Sequence, residues 1–216
     1  MSGFVVAIDG PAASGKGTLA RRLADALGLA YLDTGLLYRA TARRLLDAGA
    51  DPTDENAAAT AAVALLPEDL DRSDLRGPAV DRAASLVSAV PAVRAALLAF
   101  QRGFAAAHGA VLDGRDIGTV VFPDAPVKLF LTASLPARAE RRWRELAARG
   151  YRVSRAEVEA DLAARDAADA ARAIAPLRAA ADAITLDTTA LDADAAFAQA
   201  LALVRARMAA RADRSA

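Results

Sequence analysis

The densest chemistry in this chain lies in nine residues near its amino terminus: Gly10-Pro11-Ala12-Ala13-Ser14-Gly15-Lys16-Gly17-Thr18. Two glycines five positions apart, then lysine, then a nearby hydroxyl, is the spacing of a loop that rings polyphosphate oxygens with backbone N–H groups. Side chains at the glycine positions would obstruct that ring. Lys16 adds a mobile ammonium that can reach the β- and γ-phosphates. A G-x4-G-K match arises by chance on the order of once in a hundred chains of this size. The lysine is not background either. Of 27 basic residues, all but Lys16 and Lys128 are arginine. All nine residues are therefore read as the phosphate cradle. The strict pattern has Ser or Thr directly after the lysine; here Gly17 intervenes and Thr18 follows, so which hydroxyl would serve Mg²⁺ stays open.

Such a loop works only between a strand and a helix. Phe4 to Ile8 is an apolar run of strand length, and Leu19 to Leu27 repeats apolar positions at helical spacing before Gly28 stops it. The helix then aims its unpaired N–H groups and positive dipole end at the anion. Further strands are read at Tyr31–Asp33, Ala110–Asp113, Val127–Leu131 and Ile184–Asp187. Helices are read over 36–48, 54–66, 79–89, 92–107, 134–149, 154–172 and 192–212, with Asp54 as a cap and Ser154-x-x-Glu157 as a capping box. Residues 67–78, charged and broken by Gly77-Pro78, are read as irregular. Five apolar strands alternating with helices predict an α/β fold of the P-loop NTPase type, a parallel five-stranded sheet flanked by helices. Ligands in such sheets sit beyond the carboxyl ends of the strands. Gly10–Thr18, Asp33-Thr34-Gly35 and Asp113-Gly114-Arg115-Asp116 all follow strands directly.

Three groups of charge invite a functional reading. Tyr38-Arg39 follows Asp33-Thr34-Gly35, and Arg115-Asp116 occupies a strand-end loop, where charge is best explained by a ligand. Arg138, Arg141 and Arg142 share one helical face, and Arg165, Asp169 and Arg172 share another. Solvated faces with local ion pairs are the ordinary meaning of such spacing. Beside a polyphosphate site, however, arginine-bearing helices suit a lid, because planar guanidinium groups match the charge spread of a phosphoryl group in flight.

Composition narrows the field. Charges balance at 27 basic and 27 acidic, so no nucleic-acid partner is suggested. The absence of cysteine excludes disulfides, thiol catalysis and thiolate-held metal. His108, the only histidine, is read as a solvated helix end, and no residues are singled out as metal ligands. The first apolar run is too short for a signal peptide, and no stretch approaches the length of a membrane span. The expectation is a soluble cytoplasmic monomer without a membrane partner. The residues alone leave open a kinase acting on CMP, UMP, AMP or a small metabolite, and a switch whose hydrolysis times a partner interaction. GTPase-type switches read their base with N-K-x-D, and no Asn-Lys pair occurs here.

Several longer stretches resemble the bacterial cytidylate kinases, within the nucleoside monophosphate kinases, whose P-loops also run G-K-G-T. They are Gly10–Thr18; 32–39, LDTGLLYR; 84–88, ASLVS; 91–98, PAVRAALL, with Gln101-Arg102; 113–128, DGRDIGTVVFPDAPVK; and 173–177, AIAPL. The resemblance implies ATP-dependent phosphorylation of CMP and dCMP, with Mg²⁺. It implies a core (1–35, 109–134, 173–216), a monophosphate-binding subdomain (about 36–108) and a lid (about 135–172). By matching position, Ser85, Arg94 and Asp116 would face cytosine; Arg39, Arg115 and Arg172 would hold the acceptor phosphate; Arg165 and Asp169 would meet the ribose. Asp33 and Thr34 join that substrate set, and Lys16, Arg138, Arg142 and Arg165 are the expected catalytic cations. Two departures stand out. Residues 67–78 are too few for the strand-rich insert usual in bacterial members, and Ala167, Ala168, Ala170 and Ala171 stand where relatives often carry charge.

Overall fold

The computed structural model describes residues 3–212, the side chains at 107, 108, 211 and 212 excepted. The solvated side chain expected at His108 therefore lies outside the described residues. The chain forms two compact units, Met1–Leu32 with Phe104–Ala216, and Asp33–Gly103.

The first unit is built on a sheet of five strands, β1 (Val5–Asp9), β2 (Ala30–Asp33), β3 (Ala110–Asp113), β4 (Val127–Thr132) and β5 (Ile184–Asp187), in the order β2-β3-β1-β4-β5. All five residues of β1 are buried, as expected of a central parallel strand covered on both faces. It pairs in parallel with β3, Ile8 beside Asp113, and with β4, Asp9 beside Phe130. The loop after β1 thus emerges at the middle of the carboxyl edge, next to the loop after β3. Helix α1 (Lys16–Leu27) presses Leu19, Ala20, Leu23 and Ala24 onto Val6, Ile8, Val111 and Leu129. It ends at Gly28, whose φ of +64° lets Leu29 N–H reach back to the Ala24 carbonyl at 3.0 Å. Ala200 and Val204 of α9 (Ala193–Ala212) join the same core.

Two further helices belong to this unit. In α7 (Leu135–Ala148) and α8 (Arg155–Ala171), Ala139, Leu146, Val158 and Leu162 form a small core with Ala12 of the glycine loop. The predicted capping box starts α8: Glu157 N–H donates to Ser154 Oγ at 3.2 Å, and Ser154 N–H to Glu157 Oε2 at 2.7 Å. A short π-helix at Ile117–Val121, to which no element was assigned from sequence, follows β3. Helices of this kind concentrate at functional sites.

The second unit holds α2 (Thr34–Asp47), α3 (Glu55–Val63), α4 (Pro67–Leu70), α5 (Pro78–Val87) and most of α6 (Pro91–His108). Leu37, Leu45, Ala58, Ala83, Val87, Val93 and Leu97 form its core. Asp54 caps α3 as expected, accepting from Asn56 and Ala57 N–H. Among the described residues, segment 34–109 contains no strand. In place of an insert, Arg44 pairs with Asp69 at 2.6 Å, and Arg72 bridges Asp47 and Asp74, each at 2.7 Å. No single described helix is long and apolar enough to cross a membrane.

Candidate active site

Each part of the glycine loop has its own physical reason. Gly10 has φ of +145°, and a Cβ there would lie 2.0 Å from the Leu131 carbonyl oxygen, so only glycine lets β1 turn this close to β4. Gly15, at φ of +90°, has open space about it and is the left-handed residue from which α1 begins. The first turn of α1 carries no acidic side chain, which leaves its N–H groups and dipole to an outside anion. Ala13 holds φ of +60° despite its Cβ, a local strain of the sort found at binding loops. Lys16 is folded into the loop, its Nζ donating to the Pro11 carbonyl at 2.7 Å. Burial, then the positive field of Arg115, holds its pKa well below the usual lysine value, while Asp113 and Asp9 pull it back up.

The loop is propped from two sides by residues that sequence reasoning did not assign this task. Thr188, after β5, is buried and donates its hydroxyl to the carbonyls of Ser14 and Thr132, each at 3.1 Å. Arg138, expected as a catalytic cation, is 5% exposed and holds several acceptors together. Its Nε donates to the Ala133 carbonyl at 2.9 Å, its Nη1 to the Ala12 carbonyl at 3.2 Å, and its Nη2 pairs with Asp166 at 2.6 Å. Arg141 binds both the hydroxyl and the carbonyl of Thr188, whereas Arg142 donates along its own helix to Glu145 at 2.7 Å. The face shared by these three arginines is thus divided among separate partners.

At the carboxyl edge the structure gathers Asp9, Asp113, Arg115, Asp116, Asp169 and Arg172. Arg115 Nε donates to Asp169 Oδ2 at 3.0 Å, and Arg172 pairs with the other oxygen of the same carboxylate, which is 1% exposed. Arg165 lies close enough for its charge to act on Lys16. Asp116 is buried immediately before the π-helix. Asp9 accepts from the backbone N–H groups of Ile117 and Gly118, each at 2.7 Å. Asp113 accepts from the Tyr31 hydroxyl at 3.0 Å, and its Oδ2 lies 3.7 Å from the position of a Cβ on Gly17, facing the start of α1. A buried carboxylate beside a phosphate cradle fits Mg²⁺, which takes oxygen ligands and leans on phosphates and water. No group of three or more His, Asp or Glu side chains among the described residues offers a cage of its own.

In the second unit, Asp33 pairs with Arg76 at 2.7 Å and Arg39 with Asp81 at 3.0 Å. The Arg39 guanidinium and the Asp33 carboxylate both lie over Gly35, where an added Cβ would meet each at 3.0 Å. Thr34 is buried at the start of α2. Ser85 and Arg94 converge through Ser88: its hydroxyl donates to the Ser85 carbonyl at 2.8 Å, and its own carbonyl accepts from Arg94 at 3.3 Å. The Arg94 guanidinium also lies 5.8 Å from the centroid of the Tyr38 ring. Asp81 and Arg76, like Asp166, carried no signal beyond ordinary charge in the sequence.

The family model for cytidylate kinase matches residues 6–206. The chain is 65% identical over 202 residues to a cytidylate kinase from Granulibacter bethesdensis, covering 94% of this chain and 97% of that one. It is 63% identical to one from Acidiphilium cryptum (93% and 95% covered) and 65% identical to one from a Methylobacterium species (94% and 98% covered). A solved structure of an uncharacterized protein from Eubacterium ventriosum superposes with a TM-score of 0.50 at 13% identity, over 92% of this chain and 96% of that one, a likeness of fold alone. With a matching family model spanning nearly its whole length and relatives this similar, the chain belongs to the cytidylate kinase family.

Proposed function

We infer that this protein transfers the γ-phosphoryl group of ATP to the phosphate of CMP or dCMP, giving ADP and CDP or dCDP. The observation that carries the reading is the placement of Lys16: buried, tied inside a glycine loop at a helix start by its 2.7 Å bond to the Pro11 carbonyl, with the charges of Arg115 and Arg165 acting on the same point. Such a centre gains most from an anion with several charges, and a triphosphate supplies one.

In this reading Gly10 to Thr18 hold the ATP phosphates. An oxygen of the CMP phosphate attacks the γ-phosphorus in line, and ADP leaves from the opposite side. The attacking oxygen is already anionic, so no general base and no covalent enzyme intermediate are needed. The protein contributes position and charge, with Lys16, Arg138, Arg142 and Arg165 spreading over the transferring group. Mg²⁺, when bound, would neutralise phosphate charge, and Asp113 would help hold it. Arg39, Arg115 and Arg172 hold the acceptor phosphate, with Asp33 and Thr34 beside it, and Arg165 and Asp169 meet the ribose. Asp116, Ser85 and Arg94 read the base. Cytosine presents an N4 amino donor where uracil presents an acceptor oxygen, so carboxylate and hydroxyl acceptors favour CMP over UMP. Residues 36–108 act as the monophosphate-binding subdomain. Helices α7 and α8, within 135–172, act as a lid that excludes water and limits wasteful hydrolysis. The protein works as a monomer in the cytoplasm.

The test is a coupled ADP-release assay across CMP, dCMP, UMP, AMP and no acceptor, with Mg²⁺ present. Turnover should be high with CMP and dCMP, low with UMP and near background with the rest. Slow hydrolysis indifferent to the acceptor would overturn the assignment.

A further inference from the structure

The loop that carries Arg115 and Asp116 is fixed at both ends by its neighbour β1. At its start, Gly114 N–H donates to the Ile8 carbonyl at 2.9 Å, continuing the sheet. At its end, Ile117 and Gly118 donate their N–H groups to the two oxygens of Asp9, each at 2.7 Å. Between those points only Arg115 and Asp116 remain to be directed. Asp9 is 4% exposed, and burial pushes its carboxyl up to about 6 even though both N–H bonds draw it down. A polar group this costly to bury is retained where its hydrogen bonds fix a geometry. The backbone of the glycine loop, by contrast, is held elsewhere: Thr188 and Arg138 bind its carbonyls, and Gly10 seats directly on β4, so the Asp9 carboxylate reaches that loop only through its charge on Lys16.

We propose that Asp9 is a positioning residue for the acceptor nucleotide: its carboxylate clamps the first two N–H groups of the π-helix and so sets the direction in which Arg115 and Asp116 leave the loop. The proposal rests on the reading of those two residues as contacts to CMP. It assigns to Asp9, which touches neither substrate, a selective effect on one of them. Asparagine at position 9 keeps one acceptor oxygen and turns an NH₂ donor toward the other N–H, so one half of the clamp opens.

The experiment compares wild type with Asp9→Asn and Gly118→Ala. The second variant leaves the carboxylate in place and crowds the clamp, since a Cβ on Gly118 would lie 3.1 Å from Lys128 Cδ and 3.4 Å from Asp9 Oδ2. KM for CMP should rise at least tenfold in both variants, while in Gly118→Ala, which keeps the Asp9 charge near Lys16, KM for ATP stays within about twofold of wild type. An unchanged KM for CMP in either variant, or an equal rise for both substrates in Gly118→Ala, overturns the proposal. If Asp9→Asn does not fold, Gly118→Ala decides the matter alone. Amide hydrogen exchange at Ile117 and Gly118 separates the clamp from the substrate assignment. Exchange there should quicken at least tenfold in Asp9→Asn, whatever the enzyme phosphorylates. Wild type inactive on CMP with this exchange change present would sink the functional reading and spare the clamp, and unchanged exchange would sink the clamp.

Discussion

One substitution made at two glycines of the same loop should fail in two different ways. At Gly10, alanine would place Cβ 2.0 Å from the Leu131 oxygen and 3.0 Å from its carbon. That oxygen is backbone, so no rotamer relieves the clash; β1 and β4 must separate. Overpacking alone costs about 1–3 kcal/mol, and a backbone φ of +145° that side chains rarely adopt adds about 1–2 kcal/mol, so Gly10→Ala should lose about 2–5 kcal/mol. For a chain of this size that is a fall in Tm of roughly 4–20 °C. At Gly15 a Cβ meets nothing within 4 Å, and the cost is that of φ +90° alone, about 1–2 kcal/mol, or roughly 2–8 °C. Yet Gly15 borders the space that the proposed reaction gives to the ATP phosphates. Gly15→Ala should therefore fold and raise KM for ATP by more than tenfold, whereas Gly10→Ala should be lost to instability first. Urea unfolding curves and steady-state kinetics on both variants check this. Equal destabilisation at the two sites, or normal ATP affinity in Gly15→Ala, would refute the division between a packing glycine and a binding glycine.

Other outcomes follow from the same geometry. Lys16→Met should lower kcat by a factor of 100 or more in the coupled assay with the fold retained; near-normal turnover would remove Lys16 from the charge-stabilising set. Asp116→Ala should narrow the preference for CMP over UMP, measured as a ratio of kcat/KM, and an unchanged ratio would count against Asp116 as base reader. Asp9 should shape stability against pH. Its carboxyl is raised from 3.8 to about 6 in the folded protein, so the folded state binds that proton more tightly than the unfolded chain. The resulting stabilisation is complete below about pH 4, is lost as pH rises through about 6, and is worth about 3 kcal/mol. Urea unfolding at pH 4.5 and 7 should show wild type losing more stability with rising pH than Asp9→Asn; parallel behaviour would contradict the raised carboxyl.

What could be read in the sequence was whatever a local pattern encodes. The glycine spacing, the capping box at Ser154 and Glu157, the stop at Gly28 and the alternation of strand and helix depend on neighbours in the chain, and each formed where expected. The π-helix was not legible, because Ile117-Gly118-Thr119-Val120-Val121 has no helical period; it forms where a carboxylate 108 positions away anchors its first N–H groups. Asp9 itself read only as the last residue before a glycine loop. Helical spacing correctly placed Arg138, Arg141 and Arg142 on one side of α7, but it could not say what stood opposite. Arg138 proved to be buried against the glycine loop, with its charge met from α8.

The partners of the arginines carry a further consequence. Arg39 faces Asp81, Arg115 and Arg172 share Asp169, and Arg138 faces Asp166, each pair within its own unit. Every one of these cations is assigned to nucleotide phosphate in the proposed reaction. An arginine left buried without an anion would be costly, so an aspartate occupies the role that the proposed reaction gives to a phosphate oxygen. Buried ion pairs sit near break-even, since desolvation offsets most of their attraction. Their exchange for a phosphate therefore needs little net energy, provided the incoming group carries more charge than a single carboxylate. A nucleotide phosphate meets that condition, and a nucleoside does not. On the proposed reaction the aspartates would thus do more than neutralise: they would set the minimum charge that a ligand must bring before the arginines change partners.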